Sequence, residues 1–444
     1  MTVAPGQPAG HSATGRPVSG RWLLAGIAGQ DAAAPGTGPF ELVVTDGRIT
    51  RLAPAPAGAV PGLPDAGDGG PALACLPLLV NAHDHGRGQG NVLAGVADAP
   101  LEQWIGALAH PVVSASQQEL TGHAAAAMLR SGIGAAVFCL NPAGPDLASE
   151  MRAAHAAVDR AGIRAALVCP LADASGFRYG RPRDAAGWSA GQVADWLDTV
   201  EELAGELGGP RVDVQLGPVG PQWVSEAALR QVAEHSQRTG RRIHMHLLES
   251  PAQREWADAV YPEGLLTRLD ELGLLTGRTW FAHGTQLRDD ELALLAERGC
   301  GLTLNPSSNL RLASGVAPVA RAARTVSAAG LGLDGLALND DHDAWTELRL
   351  ARGLWQAQEH RTVSGAEMLR LAAGPARAAL GTAAPGPVAP GQPADFVLAD
   401  ISAWRHLLGQ PGWPLDDVLA AALTPRQVRE VWVAGTAVIT TEER

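Results

Sequence analysis

Lysine is missing altogether: all 34 basic residues in the 444-residue chain are arginines. Acidic residues number 46, the formal net charge is −12, and no basic run occurs, which argues against nucleic acid or an anionic membrane as a partner. No uninterrupted apolar span is long enough for a membrane. Residues 1–20, rich in Gly, Pro, Ser and Thr, lack the apolar core of a secretory signal, so the expected compartment is the cytoplasm. The chain also lacks a CxxC pair. Cys75, Cys139, Cys169 and Cys300 lie far apart in mostly apolar surroundings and are expected to be buried free thiols.

Gly (53) and Pro (32) are abundant and 46% of residues are hydrophobic, which fits an α/β protein with many tight turns. The length suits a large domain plus a smaller one. After a tail at 1–20, residues 21 to about 60 read as a β-meander, with Phe40-Glu41-Leu42-Val43-Val44, a turn at Asp46-Gly47, and Arg48-Ile49-Thr50-Arg51-Leu52. The same texture returns at 394–398 and 428–439. A composite β-sandwich from residues 21–75 plus 388–444 is therefore expected, joined through the Pro/Gly stretch 383–393.

Residues 76–387 alternate differently, with short apolar strands followed by Ala/Leu-rich helices. Strands are expected at Leu76–His83, Gly134–Leu140, Ala165–Pro170, Val212–Gly217, Arg242–Leu247, Thr279–His283, Gly301–Asn305 and Gly330–Asp334. Strand-helix alternation with that count predicts a TIM-like (β/α)8 barrel, somewhat longer than the usual ~250 residues.

In such a barrel, catalytic groups sit at the C-terminal ends of strands. The first strand ends in His83-Asp84-His85, whose histidines share one face because strand side chains alternate. The fifth ends in His244-Met245-His246-Leu247-Leu248-Glu249, the sixth in Ala282-His283-Gly284, and the eighth in Leu333-Asp334-Gly335. Each alone has an ordinary explanation in packing or turns. Gathered at one rim, imidazoles plus a carboxylate suit one divalent metal, zinc before iron.

These strand ends, together with Asn305-Pro306-Ser307-Ser308-Asn309-Leu310-Arg311-Leu312 and Ser314-Gly315-Val316-Ala317-Pro318-Val319, resemble the amidohydrolase superfamily. The likeness is to its cytosine/guanine/adenosine-type deaminase and chlorohydrolase branch, and it covers nearly the whole chain. The resemblance implies His83, His85, His246 and Asp334 as metal ligands. It makes Asp334 also the base for the attacking water, Glu249 the proton shuttle to a ring nitrogen, and His283 a hydrogen-bond partner of the attacking oxygen. It further implies a homodimer or larger assembly. Related two-metal hydrolases bridge their ions with a carboxylated lysine, and this chain has none, so a single ion is expected.

The implied reaction is hydrolytic deamination of an amino-substituted heterocycle of pyrimidine, purine, pterin or triazine type. The runner-up is release of chloride or alkylamine from a triazine, or opening of a cyclic amide. A non-catalytic barrel with an assembly role is a remote third. Asp340 is the alternative strand-eight ligand, and His244 is expected to pack or to support a ligand from behind. Asp340, Asp341 and Asp343 suit a solvated loop or a helix start. Many purine-nucleoside members of the branch carry a histidine after strand four, where this chain has Gly217-Pro218-Val219-Gly220-Pro221-Gln222-Trp223. Gln222 is a candidate to pair with a heterocycle edge and Trp223 to stack on it, with barrel packing the alternative for Trp223. Arg87 is a candidate for an anionic group, and Trp104 and Trp345 are weaker pocket candidates.

Overall fold

The computed structural model describes residues 19–28, 37–55, 71–92, 95–107, 115–140, 146–173, 188–335, 341–407 and 414–440. Four strands open the chain: β1 (Gly20–Ile27), β2 (Thr37–Thr45), β3 (Arg48–Pro54) and β4 (Leu73–Pro77). Eight follow: β5 (Leu79–Asp84), β6 (Ile133–Cys139), β7 (Arg164–Leu171), β8 (Val212–Pro218), β9 (Ile243–Leu247), β10 (Thr279–His283), β11 (Gly301–Leu304) and β12 (Ala328–Leu331). The chain ends with β13 (Phe396–Asp400), β14 (Val428–Val433) and β15 (Thr436–Ile439).

Strands β5 to β12 form one parallel sheet in sequence order, the (β/α)8 arrangement expected. The seam between β12 and β5 is held by Asp334 N–H donating to His83 O at 3.0 Å. Burial on both faces explains the unbroken apolar runs of these strands. Helices between them start and stop on local signals. Ser116 and Glu119 form a capping box at the head of Gln117–Ser131, and Gly132, at φ 93°, ends that helix in the left-handed region.

Below, the barrel is plugged by the 3-10 segment Pro375–Ala383. Its Ala376, Ala379 and Leu380 pack on Val80, Val137, Val168 and Trp280. A Cβ on Gly330 would stand 2.6 Å from Ala376 Cβ, so the plug requires glycine there. With its floor closed by this plug, the barrel carries its ligand candidates at the strand C-termini.

The remaining strands form a seven-stranded sheet in the order β15-β14-β13-β4-β1-β2-β3, drawn from both chain ends. Trp22 on β1 and Trp432 on β14 lie three strands apart, which is about 14 Å in a flat sheet. Their ring centroids are 5.2 Å apart, so the sheet curls over its own core into a sandwich. The β2–β3 turn meets the segment that leads into β13, Ala394 N–H donating to Gly47 O at 2.9 Å. The Asp46-Gly47 turn has both residues at positive φ (48° and 73°), as a two-residue hairpin needs.

The expected single strand Leu76–His83 is two strands. β4 pairs with β13 in the curled sheet, β5 with β6 in the barrel, and Leu78 is the joint. Pro77, which lacks an N–H for a ladder, marks the break, while apolar residues on both sides hide it from a hydropathy reading. The meander texture expected at 428–439 is β14 and β15, joined by a turn at Ala434 and Gly435 with φ 50° and 87°.

Candidate metal centre and active site

Two strand ends and the turn after a third strand deliver the centre. His83 and His85 end β5, His246 sits near the end of β9, and Asp334 lies three residues beyond β12. Nε2 of His83 and of His85 each stand 3.2 Å from Asp334 Oδ1, and His246 Nε2 stands 3.2 Å from His85 Nε2. Four ligand atoms ~2.0–2.1 Å from one ion at tetrahedral angles stand about 3.3–3.4 Å apart, so the spacing suits a single ion.

Proton placement points the same way. His85 Nδ1 lies 2.8 Å from Cys139 O and His246 Nδ1 2.7 Å from Val219 O. A carbonyl only accepts, so both Nδ1 atoms carry the proton and both Nε2 atoms offer lone pairs. Burial, and then the surrounding histidines, push His246 well below its ordinary pKa, so its ring is not a cation. Two lone pairs facing each other beside a carboxylate repel unless a cation lies between them. His83 Nε2 and Asp334 Oδ1 are buried without a hydrogen-bond partner among the described residues. The donor set, its orphaned atoms and its spacing therefore fit a divalent ion.

Support for the ligands comes from behind. His83 Nδ1 is 3.0 Å from His244 Nε2 and 3.4 Å from Cys139 Sγ, with the two imidazoles parallel. Ser308 Oγ donates to Asp334 Oδ2 at 2.5 Å. Burial by itself would raise Asp334, but His283 and the contacts with His83 and His85 hold it well below the usual carboxyl range.

Beside these atoms lie His283 and Glu249, both almost wholly buried, with Nε2 and Oε2 3.6 Å apart. Asn305 and Asn309 direct their amides to His283 Nδ1 at 3.2 and 3.0 Å, which leaves Nε2 as the proton-bearing nitrogen facing the site. Burial drives the His283 pKa down to about 3. Burial, and then the Asp334 and Glu102 carboxylates, push Glu249 well above the usual carboxyl range. Leu248, His283 and Asp334 all have positive φ (45°, 73° and 60°), a cost for non-glycine residues that collects here at three strand ends.

Residues 75–438 match the profile of the Amidohydrolase family. The chain belongs to the amidohydrolase family. It is 32% identical over 368 residues to the 5-methylthioadenosine/S-adenosylhomocysteine deaminase of Haloarcula marismortui, covering 82% of this chain and 80% of that one. It is 33% identical over 379 residues to the 8-oxoguanine deaminase of Pseudomonas aeruginosa, covering 82% of each. Among solved structures it resembles an adenosine deaminase from Xanthomonas campestris with bound zinc, at TM-score 0.77 and 27% identity over 95% of this chain and 93% of that one.

Around the centre of this amidohydrolase the other candidates divide. Gln222 is buried, and its Nε2 has no partner among the described residues; Trp223 is half-buried. Arg87, two residues past His85, lies over the Trp104 ring at 5.8 Å. Trp104 is buried with Leu101, Val96 and Leu312 in a small cluster over the rim. Trp345 is not a pocket residue: it is wholly buried, its indole N–H donating to Ser131 O at 2.9 Å. Asp340 lies outside the described residues. Asp343 caps the helix Ala344–Glu359, its Oδ1 accepting from Trp345 N at 2.8 Å.

The sequence reading left Asn305, Ser308, Asn309, Ser314 and His342 without roles. Four of them lie in the motif that carried the family resemblance, where polar residues inside an apolar run were the available signal. All five are wholly buried.

Proposed function

We infer that this amidohydrolase is a metal-dependent hydrolytic deaminase that removes ammonia from an amino-substituted nitrogen heterocycle. The observation that carries the reading is the pairing of Glu249, buried and held well above the usual carboxyl range, with orphaned ligand atoms at the same rim. Relatives named as deaminases of two different purine-type compounds support the class.

His83, His85, His246 and Asp334 would hold one divalent ion, zinc before iron given three imidazoles and a carboxylate. When bound, that ion would supply Lewis acidity, which lowers the pKa of the attacking water toward neutrality. Asp334 accepts the proton of the attacking water, with Ser308 steadying its other oxygen. His283 Nε2–H donates to the attacking oxygen as charge builds on it. Glu249, carrying its proton, delivers it to the ring nitrogen beside the reacting carbon, so negative charge does not accumulate on the ring. The carbon–amino bond then breaks, ammonia leaves with the hydrogen that Asp334 took from water, and the remaining hydroxyl hydrogen returns to Glu249 as the carbonyl forms.

Gln222, whose buried Nε2 has no partner among the described residues, would offer a donor to an acceptor such as a ring carbonyl, and Arg87 is the candidate for an anionic group. That favours oxygen-bearing pyrimidines, purines, pterins or triazines, with Trp223 available to stack. The lysine-free composition supports one ion over a bridged pair. The family resemblance supports a homodimer or larger assembly, checked by native mass measurement, and the cytoplasmic location expected from the sequence is checked by fractionation. No helix among the described residues is long and apolar enough to cross a membrane.

The test is a panel of aminopyrimidines, aminopurines, pterins and triazines scored for ammonia. Release from at least one supports the reading. Chloride or amine release from one, with no ammonia from any, overturns it.

A further inference from the structure

Between its two metal-facing histidines the chain places Asp84, wholly buried and outside the ligand cluster. Its Oδ1 accepts from Gly86 N at 2.7 Å, and its Oδ2 accepts from Asn81 Nδ2 at 2.8 Å and His342 Nε2 at 3.2 Å. Carboxylates only accept, so His342 carries its proton on Nε2. With its Nδ2 given to Asp84, the Asn81 amide must turn its Oδ1 the other way. It receives Leu333 N–H at 2.9 Å. The next peptide, Asp334 N–H, donates to His83 O at 3.0 Å.

Both peptides leading into Asp334 are thus pinned to β5, and Asp334 itself sits at φ 60°, where a side chain is strained. Relaxing that turn to negative φ would swing the carboxylate away from the three histidines. On the far side, His342, also at positive φ (51°) and wholly buried, ties the returning chain to the same carboxylate.

We propose that Asp84 and His342 form a positioning pair that, through the Asn81 amide, holds the Leu333–Asp334 turn against β5 and thereby sets metal affinity. The proposal rests on reading His83, His85, His246 and Asp334 as the metal centre. A buried acceptor with three donors fixes the orientation of every group attached to it, which a surface pair does not do.

The test measures zinc dissociation constants by competition with a chromophoric chelator, and thermal midpoints of the metal-free proteins. It uses the full chain and Asp84→Asn, His342→Leu, His342→Gln and Arg164→Met. Asp84→Asn and His342→Leu should weaken zinc binding about 10- to 100-fold, the range for groups that orient ligands. His342→Gln, which keeps a donor, should recover most of that loss. Arg164→Met, which breaks a buried pair at the barrel floor, should lower the thermal midpoint and leave zinc affinity within about two-fold. Unchanged affinity in Asp84→Asn and His342→Leu overturns the proposal, as does equal weakening in Arg164→Met, which would mark mere loosening. If His342→Leu does not fold, Asp84→Asn against His342→Gln decides by the same criterion. Absence of tight zinc binding in the unaltered protein would instead overturn the metal-centre reading itself.

Discussion

Glu249 and Asp334 are two carboxyls a few ångströms apart whose surroundings push them in opposite directions, Glu249 up and Asp334 down. That divergence supports the proposed roles, Glu249 as the acid and Asp334 as the base. Glu249→Gln keeps the shape but has no proton to give, so kcat should fall about 10²- to 10⁴-fold with bound zinc unchanged, checked by steady-state kinetics and metal analysis. Retained ammonia release would remove Glu249 from the mechanism. Ser308→Ala deletes the hydrogen bond to Asp334 Oδ2 and should cost about 10-fold or more in zinc affinity, read by chelator competition. The two roles differed in legibility. Glu249 stands three residues after His246 in a strand-end motif, whereas Ser308 acts through a contact between segments 26 residues apart, which no local pattern reports.

At the scale of elements, the barrel strands were legible because burial on both faces writes each one as a short apolar run. The split at Pro77 and Leu78 was not, since both halves are equally apolar and only their partners differ. Residue parity correctly grouped His83 with His85. Yet the register of β5 against β6 shifts between Asn81 and Asp84, and that irregularity helps aim the side chains. Asp84 lies outside the ligand cluster, and its link to Asp334 through Asn81 depends on a seam between the first and last barrel strands. The buried pair Arg164–Asp395, with contacts of 2.9 Å, joins the barrel to the curled sheet. Arg164→Met leaves Asp395 without its cation and should destabilise the fold by about 3–5 kcal/mol, measured by denaturant unfolding. A loss below ~1 kcal/mol would mean the two sheets are held by apolar contact alone.

Across the whole molecule, four imidazoles share one small region: the buried His83, His244 and His283 and the half-buried His246. All four have pKa values lowered chiefly by burial, His283 to about 3. Below the unfolded value of about 6.5 the unfolded chain takes up protons that the folded chain refuses. Stability of the chelator-treated protein should therefore be full above pH ~6.5 and fall as pH drops. Each such histidine contributes up to about 1.4 kcal/mol per pH unit until its folded pKa is reached. Unfolding free energies at pH 7.5, 6.0 and 5.0 check this, and a rise on acidification would contradict it.

One titration joins the centre to the chemistry. Metal-free protein is loaded with increasing zinc while ammonia release is recorded from a heterocycle found active in the panel. The account predicts no ammonia without metal and a linear rise that saturates at one equivalent per chain. Saturation only at two equivalents, or ammonia release from the stripped protein, would contradict it.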